Sequence, residues 1–303
     1  MTAAALAWVT ACGSEPSSET HDSGDSGDSS STSGDENSTG DSTGDPTGDG
    51  DGDPTGDGDP TGDGDPTGDG DPTGDGDGDP PELPRVLFIG NSYTFVNDLP
   101  GLVETMSATS ATPLAVESLT MAGARVSDHL ANPQLPTLLG EGFDVVVIQG
   151  QSFEPVLDYP GFEQAVVALA GMAGDARVLL YQTWPRKQGS PDLDDLGMTV
   201  EAMWAGLEAG YFEAAVASDS EVAPVGGAFM SALQLDPPIE LYTPDFSHPS
   251  PAGTYLAGCV FFDMIVGMAC ATSGHVPDGL ASEDVERLQA IADVTTGIVD
   301  PSP

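Results

Sequence analysis

Five short runs of mainly apolar residues recur along the second part of this chain, each bounded by glycine, proline or polar residues. Runs of this length and composition are typical of β-strands that are buried on both faces. They occupy residues 85–89, 114–121, 144–149, 177–182 and 221–225. Because such strands bury both faces, the sheet that they form needs a covering layer on each side.

Helical patterns of apolar residues supply that covering. They occupy residues 99–108, 126–139, 161–172 and about 194–212, and two more follow the fifth run, at 251–269 and 282–296. Strict alternation of strand and helix indicates parallel strands joined by crossover helices. We therefore predict a three-layer α/β/α sandwich around a five-stranded parallel sheet, of flavodoxin-like type.

The preceding part of the chain has a different composition. Residues 13–84 are almost entirely Asp, Gly, Ser, Thr and Pro, and Asp-Pro-Thr-Gly-Asp-Gly repeats from Asp45 to about Asp79. Such a segment buries too little apolar surface to offset the entropy of ordering, so we predict a disordered acidic linker. The repeats lack the spacing and the closing Glu of an EF-hand loop, which favours a solvated spacer over a calcium site. Residues 85–303 then form one folded domain.

The first twelve residues indicate where the protein is located. An apolar run precedes Val9-Thr10-Ala11-Cys12, which resembles the lipobox of bacterial lipoproteins, whose cysteine is lipidated. The run is too short to span a bilayer, so we expect membrane attachment only through a lipid on Cys12, and otherwise secretion. A secretory signal begins with positive charge, which is missing here, so we expect the natural start to lie further upstream.

Charge and cysteines exclude some classes of function. The chain carries 6 Lys and Arg against 50 Asp and Glu, a net charge of −44, which repels nucleic acid phosphates. Cys259 and Cys270 are the two remaining cysteines. If residues 251–269 are one helix, eleven residues separate their Cα atoms by about 16 Å, so we expect buried free thiols. No His or Cys cluster has the spacing of metal ligands.

One residue of each type needed for nucleophilic catalysis is available. Ser92 lies in Gly-Asn-Ser-Tyr-Thr directly after the first strand, and Asp245-Phe-Ser-His248 lies late in the chain. A serine hydroxyl is a weak nucleophile unless an imidazole takes its proton, and a carboxylate fixes the imidazole tautomer. Such chemistry needs no cofactor. The alternative for Ser92 is a helix cap, and for His248 an ordinary loop histidine.

Further candidates follow the neighbouring strands. Gly123 follows the second strand, and Gln149-Gly150-Gln151 follows the third. The carboxyl ends of parallel strands share one edge of the sheet, where ligands bind in such folds. These residues and Ser92 are therefore expected to converge there.

This arrangement of Ser92, Gly123, a third block at Gln149–Gln151 and a late Asp245-x-x-His248 resembles the SGNH (GDSL-type) hydrolases. The resemblance extends over residues 85–303. It implies a catalytic Ser92, Asp245 and His248, and an oxyanion hole that includes Gly123. The Gly-x-Ser-x-Gly elbow of α/β-hydrolases is missing around Ser92, which disfavours that class.

Two positions depart from the family pattern. Asn91 replaces the usual Asp before the serine, and glutamines stand where the third block has Asn. A Gln amide donates as well as Asn and is one methylene longer. The block resembles the Gln-Gly-Glu of carbohydrate acetylesterases, which favours Gln149 as the oxyanion donor and leaves Gln151 as the alternative.

Two other side chains are candidates for contact with substrate. His129 follows Gly123 on a predicted helix, and Trp184 follows the fourth strand in Trp-Pro-Arg. Each has a structural alternative: a buried, locally bonded histidine and a packing tryptophan.

Taken with the resemblance, these residues predict a serine esterase of the cell envelope. The expected partner is a small-molecule or glycan ester, and the favoured substrate class is an acetylated carbohydrate. A lipid or lysophospholipid esterase is one alternative. A non-catalytic surface binding module on the same scaffold is another, because the third block is altered.

Overall fold

A computed structural model describes residues 82–298 of the protein. The predicted signal and lipobox segment at 1–12, with Cys12, lies outside the described residues, as does the predicted linker apart from residues 82–84. The lipid anchor therefore stays a prediction. Within residues 82–298, no helix combines the length and the hydropathy required to cross a membrane.

The centre of the structure is the predicted five-stranded sheet. All four strand pairings are parallel, and the strand order is β2-β1-β3-β4-β5. The strands are β1 (Arg85–Gly90), β2 (Ala115–Thr120), β3 (Val145–Ile148), β4 (Arg177–Tyr181) and β5 (Glu221–Ala223).

Eleven α-helical segments within residues 82–298 surround the sheet. They are α1 (Ser92–Phe95), α2 (Leu99–Ser107), α3 (Val126–Leu130), α4 (Leu135–Leu139), α5 (Glu154–Leu157), α6 (Tyr159–Met172), α7 (Pro191–Leu196), α8 (Val200–Ser218), α9 (Val225–Ala232), α10 (Pro251–Val266) and α11 (Ser282–Thr296).

The side chains of β1 explain the layering. Val86 and Phe88 join a core that includes residues of α2, α9, α10 and α11. Leu87 and Ile89, which point to the other face, join a second core with residues of α3, α6 and α8. Alternate residues of a strand point to opposite faces, so one apolar run serves both cores. The fold is the predicted three-layer α/β/α sandwich.

Two predicted helices are each divided in the structure. Residues 126–139 form α3 and α4, which are separated around Pro133, and residues 191–218 form α7 and α8, which are separated at Gly197. A proline disfavours helical geometry at the residue before it. Gly197 ends α7 with a φ of 59°, a left-handed conformation that suits glycine.

The expectation of free thiols is wrong. Helix α10 ends at Val266, and Gly267 follows it with a φ of 75°. The chain turns back there and returns Cys270 to Cys259, with their Cα atoms 5.0 Å apart in a disulfide. The estimate of about 16 Å assumed that the helix continued to Ala269.

Candidate active site

Ser92 is the first residue of α1, immediately beyond the carboxyl end of β1. Asn91 caps this helix, because its Oδ1 accepts from Tyr93 N at 3.1 Å. The same side chain donates from Nδ2 to Ala124 O at 3.0 Å, and Asn91 N donates to Gln149 Oε1 at 2.8 Å. The turn that carries Ser92 is therefore tied to the loops that follow β2 and β3.

His248 reaches Ser92 from a loop between α9 and α10. Its Nε2 lies 2.8 Å from Ser92 Oγ, and its Nδ1 lies 2.5 Å from Asp245 Oδ2. The two arms of this loop pair with each other, since Thr243 N donates to His248 O at 2.8 Å. The structure thus brings the three predicted residues into one hydrogen-bonded series.

The Asp245 carboxylate is held by several donors. Partial burial opposes its ionisation, but hydrogen bonds from His248, from the Thr243 hydroxyl and from the Ser247 and His248 amides outweigh burial. Together they hold the pKa of Asp245 well below its usual range. The carboxylate is therefore ionised at neutral pH. It accepts a hydrogen bond from His248 Nδ1–H and so orients the imidazole.

Several backbone N–H groups at this edge have no acceptor among residues 82–298, and two of them are candidates for an oxyanion hole. One belongs to Ser92, at the start of α1, and the other to Gly123. Gly123 occupies a turn closed by Ala124 N donating to Met121 O at 3.1 Å. Its φ of 68° favours glycine, and a Cβ built there meets no atom within 4 Å. Uncommitted N–H groups beside a nucleophile are the usual donors of an oxyanion hole.

The two glutamines of the third block lie in different surroundings. Gln149 is buried, its Oε1 accepts from Asn91 N and from Thr94 Oγ1 at 3.0 Å, and its Nε2 donates to Gly150 O. This side chain supports the Ser92 turn and offers no exposed donor in this structure, which does not fit the role favoured from the sequence. Gln151 is half-buried and donates from Nε2 to Ser152 Oγ at 3.2 Å.

His129 does not fit the predicted contact with substrate. Its side chain is buried, and its Nε2 lies 3.0 Å from Gly90 O. A carbonyl only accepts, so Nε2 carries the proton, while Nδ1 is buried without a partner among residues 82–298. Burial lowers the pKa of His129, so the imidazole is neutral. It supports the end of β1 from behind the site.

Trp184 is also a packing residue. It is fully buried, and its ring stacks on Phe229 at 4.0 Å and on Tyr93 at 4.6 Å between ring centroids. Its Nε1 donates to Ser247 O at 3.0 Å. It therefore contacts the neighbours of Ser92 and His248, and has no surface to offer to a substrate.

Tyr93 and Ser247 also belong to this site, and no motif pointed to their role, although each is adjacent in sequence to a predicted catalytic residue. The Tyr93 ring packs edge-on against His248, with 5.6 Å between centroids, and its hydroxyl lies 2.9 Å from Ser247 Oγ. Adjacency to Ser92 and His248 was the available signal. Within residues 82–298, no group of three His, Cys, Asp or Glu side chains is arranged to hold a metal ion.

Comparisons with known proteins identify solved structures that share this fold. No family model and no curated protein matches the sequence. A solved structure described as a candidate SGNH hydrolase from Slackia heliotrinireducens matches at 29% identity and a TM-score of 0.54, over 60% of this chain and 98% of that protein.

Two further solved structures share the fold at lower identity. A DUF4886 family protein from Bacteroides uniformis is 16% identical, with a TM-score of 0.61 over 72% of this chain and 97% of that protein. A lipase/acylhydrolase from Enterococcus faecalis is 20% identical, with a TM-score of 0.51 over 61% of this chain and 96% of that protein. The match to the Slackia protein covers nearly all of that protein, and the two structures share one fold. This chain therefore belongs to the SGNH (GDSL-type) hydrolase superfamily of serine hydrolases that act on ester bonds.

Proposed function

We propose that the protein is a serine esterase with Ser92, His248 and Asp245 as its catalytic triad. The observation that carries the proposal is the hydrogen-bonded series from Ser92 Oγ through His248 to Asp245, at 2.8 and 2.5 Å. Ser92 Oγ attacks the ester carbonyl carbon while His248 Nε2 takes its proton and returns it to the leaving alcohol. A water molecule then attacks the acyl-enzyme with His248 as base, which releases the acid and restores Ser92.

The oxyanion that forms in each step needs donors in fixed positions. In this proposal the Ser92 and Gly123 N–H groups supply two, and the Gln151 amide supplies the third. Both N–H groups lack an acceptor within residues 82–298, which supports their assignment. Loss of one such donor typically lowers the rate by about 10²- to 10³-fold.

The proposed substrate class is an acetylated carbohydrate. Its support is the likeness of Gln149-Gly150-Gln151 to the Gln-Gly-Glu block of carbohydrate acetylesterases.

An ester with a longer, apolar acyl chain is the second candidate. Two large apolar side chains next to the site residues favour it: Phe95, on α1 with Ser92, and Met121, two residues before Gly123, each remain 42% exposed. Exposed apolar groups beside a nucleophile provide contact area for an acyl chain or a lipid surface.

A labelling experiment tests the catalytic assignment. The full-length protein is treated with a fluorophosphonate and its intact mass is measured. We expect one adduct on the unaltered protein and on Ser231→Ala, whose serine lies on α9, and no adduct on Ser92→Ala. No adduct on the folded, unaltered protein would favour a non-catalytic binding module.

Aryl esters of increasing acyl length, from acetyl to dodecanoyl, then separate the substrate classes. We expect kcat/KM to be highest for the acetyl ester and to fall as the acyl chain lengthens. A maximum at a medium or long chain would instead assign the lipid class.

A further inference from the structure

The loop after β4 contacts the loop that carries the base. Residues 184–187, here called the clamp segment, bond to the two residues that separate Asp245 from His248. Trp184 Nε1 donates to Ser247 O at 3.0 Å, and Lys187 N donates to Phe246 O at 2.9 Å.

Phe246 needs this support. Its φ is 64°, in the left-handed region that is strained for residues other than glycine. A strained residue between Asp245 and His248 persists only if surrounding contacts determine its conformation. The clamp segment supplies such contacts from outside the loop.

Arg186 is the charged member of the clamp segment. Its side chain is only 10% exposed, and its Nη1 donates both to Tyr93 OH and to Ser247 Oγ. Its Nε pairs with Asp192 at 2.9 Å, and its guanidinium lies 4.9 Å from the Phe153 ring centroid. A buried guanidinium with this many partners has a fixed position.

The two hydroxyls that Arg186 binds have particular neighbours. Tyr93 directly follows Ser92, and Ser247 directly precedes His248. One nitrogen atom therefore joins the residue next to the nucleophile with the residue next to the base. The two hydroxyls lie only 2.9 Å apart, so they keep a hydrogen bond to each other if the guanidinium is removed.

We propose that Arg186 is a positioning residue for the esterase reaction. It fixes the position of Ser92 relative to His248 through its contacts with Tyr93 and Ser247. The inference rests on the proposed function of Ser92 and His248. Arg186 does not touch the reacting atoms. Small misplacements of catalytic groups can slow a reaction by about 10²-fold, so the contact is expected to affect the chemical step.

The rate at which a fluorophosphonate acylates Ser92 depends on the relative position of Ser92 and His248. This measurement does not require the protein to bind its substrate. The full-length protein is compared with Arg186→Met, Arg186→Lys and Arg177→Met. Arg177 is the matched control, since it lies at the other end of β4, where it binds Glu221 at 2.6 and 2.7 Å and Met264 O at 2.6 Å.

We expect Arg186→Met to lower the acylation rate constant by about tenfold or more, and kcat on an aryl ester by a similar factor at nearly constant KM. Arg186→Lys keeps the charge and restores much of the rate. Arg177→Met lowers thermal stability and leaves the acylation rate unchanged. Equal acylation rates for Arg186→Met and the unaltered protein would overturn the inference and leave the proposed function standing.

A second comparison keeps the test valid if Arg186→Met does not fold. Tyr93→Phe/Ser247→Ala removes both acceptors and keeps the arginine. We expect slower acylation in this variant, and unchanged acylation overturns the inference. Where Arg186→Met folds, its effect and that of the double variant should combine to less than their product, because both remove the bonds from Arg186 to the two hydroxyls. The double variant also removes the hydrogen bond between Tyr93 and Ser247, so its own effect should be the larger of the two. Absence of labelling in the unaltered protein would instead overturn the proposed function.

Discussion

At the scale of single residues, Gln149 and Gln151 show how neighbouring glutamines acquire different roles. The buried amide oxygen of Gln149 is the acceptor for the Asn91 N–H. An alanine at position 149 leaves that buried N–H without a partner, which costs about 1–3 kcal/mol. Within residues 82–298, the Gln151 side chain hydrogen-bonds only to its neighbours Ser152 and Phe153.

This difference predicts distinct results for two substitutions. Gln149→Ala should lower the melting temperature and kcat together, because the Ser92 turn loses its support. Gln151→Ala should lower kcat by about tenfold or more at nearly constant KM, with an unchanged melting temperature, because an oxyanion donor acts mainly in the transition state.

Steady-state kinetics and thermal melts of both variants provide the measurement. A loss of kcat at unchanged stability in Gln149→Ala, with Gln151→Ala fully active, would return the donor role to Gln149.

At the scale of elements, α10 and α11 bring two carboxyl groups together in the interior. Asp263 on α10 and Asp293 on α11 are 1% and 7% exposed. Asp263 Oδ2 accepts from Thr296 Oγ1 at 2.9 Å, whereas Oδ1 is buried and has no hydrogen-bond partner in the described part of the chain, residues 82–298. Burial, together with the negative charge of Asp293, raises the pKa of Asp263 to about 8.

The raised pKa predicts how stability depends on pH. Between about pH 4 and 8 the folded protein keeps a proton on Asp263 that the unfolded chain has lost, so the free energy of unfolding falls as the pH rises through this range. The contribution is fully present below about pH 4 and lost above about pH 8. Asp263→Asn removes this titration.

Thermal melts across this range test the prediction. We expect Asp263→Asn to gain stability relative to the unaltered protein as the pH rises, by an amount on the order of a few kcal/mol. Asp278→Asn, at an exposed position, serves as the control. A constant difference between Asp263→Asn and the unaltered protein at every pH would show that Asp263 does not carry the effect.

Most of the elements could be predicted from the sequence because their signals are local. The apolar runs coincide with all five strands, and the predicted helix at 282–296 has the bounds of α11. Ser92, Gly123 and the block at Gln149–Gln151 could be predicted to converge because the carboxyl ends of parallel strands share one edge of the sheet. Asp245 and His248 lie in a loop between two helices, so they were assigned from their residue types and from the family resemblance.

The rest depended on side-chain directions and on helix ends that local patterns do not determine. The Cys259–Cys270 disulfide follows from α10 ending at Val266, three residues before its predicted end. The role of Gln149 depends on its side chain pointing towards Asn91, and the burial of His129 depends on where α3 packs. Neither the direction of the Gln149 side chain nor the packing position of α3 can be inferred from the spacing of residues in the sequence.

At the scale of the whole molecule, negative charge is in large excess. All six Lys and Arg residues pair with carboxylates within residues 82–298. Six of their seven carboxylate partners expose more than two fifths of their side chains, and such surface pairs contribute about 0–1 kcal/mol each. The negative side chains that give the chain its net charge of −44 therefore repel one another, and the ion pairs offset little of this repulsion.

Screening this repulsion should stabilise the protein. Raising NaCl from about 10 mM to about 150 mM shortens the Debye length from about 30 Å to about 8 Å, so we expect the melting temperature to rise by several degrees. A neutral osmolyte at equal osmolality should give a smaller rise. A lower melting temperature in salt would mean that the ion pairs outweigh the repulsion.

The clamp segment has a consequence for chemical labelling, because Lys187 is the only lysine in the sequence. Its side chain is 36% exposed while its backbone N–H binds the loop that carries His248. An amine-reactive dye therefore has one side-chain target, apart from any free α-amino group, and that target is next to the proposed triad. A fluorophore coupled at Lys187 becomes an optical reporter of movement in this loop, obtained without introducing a cysteine. The same reaction used to immobilise the protein on a solid support would attach it at the segment that contacts this loop.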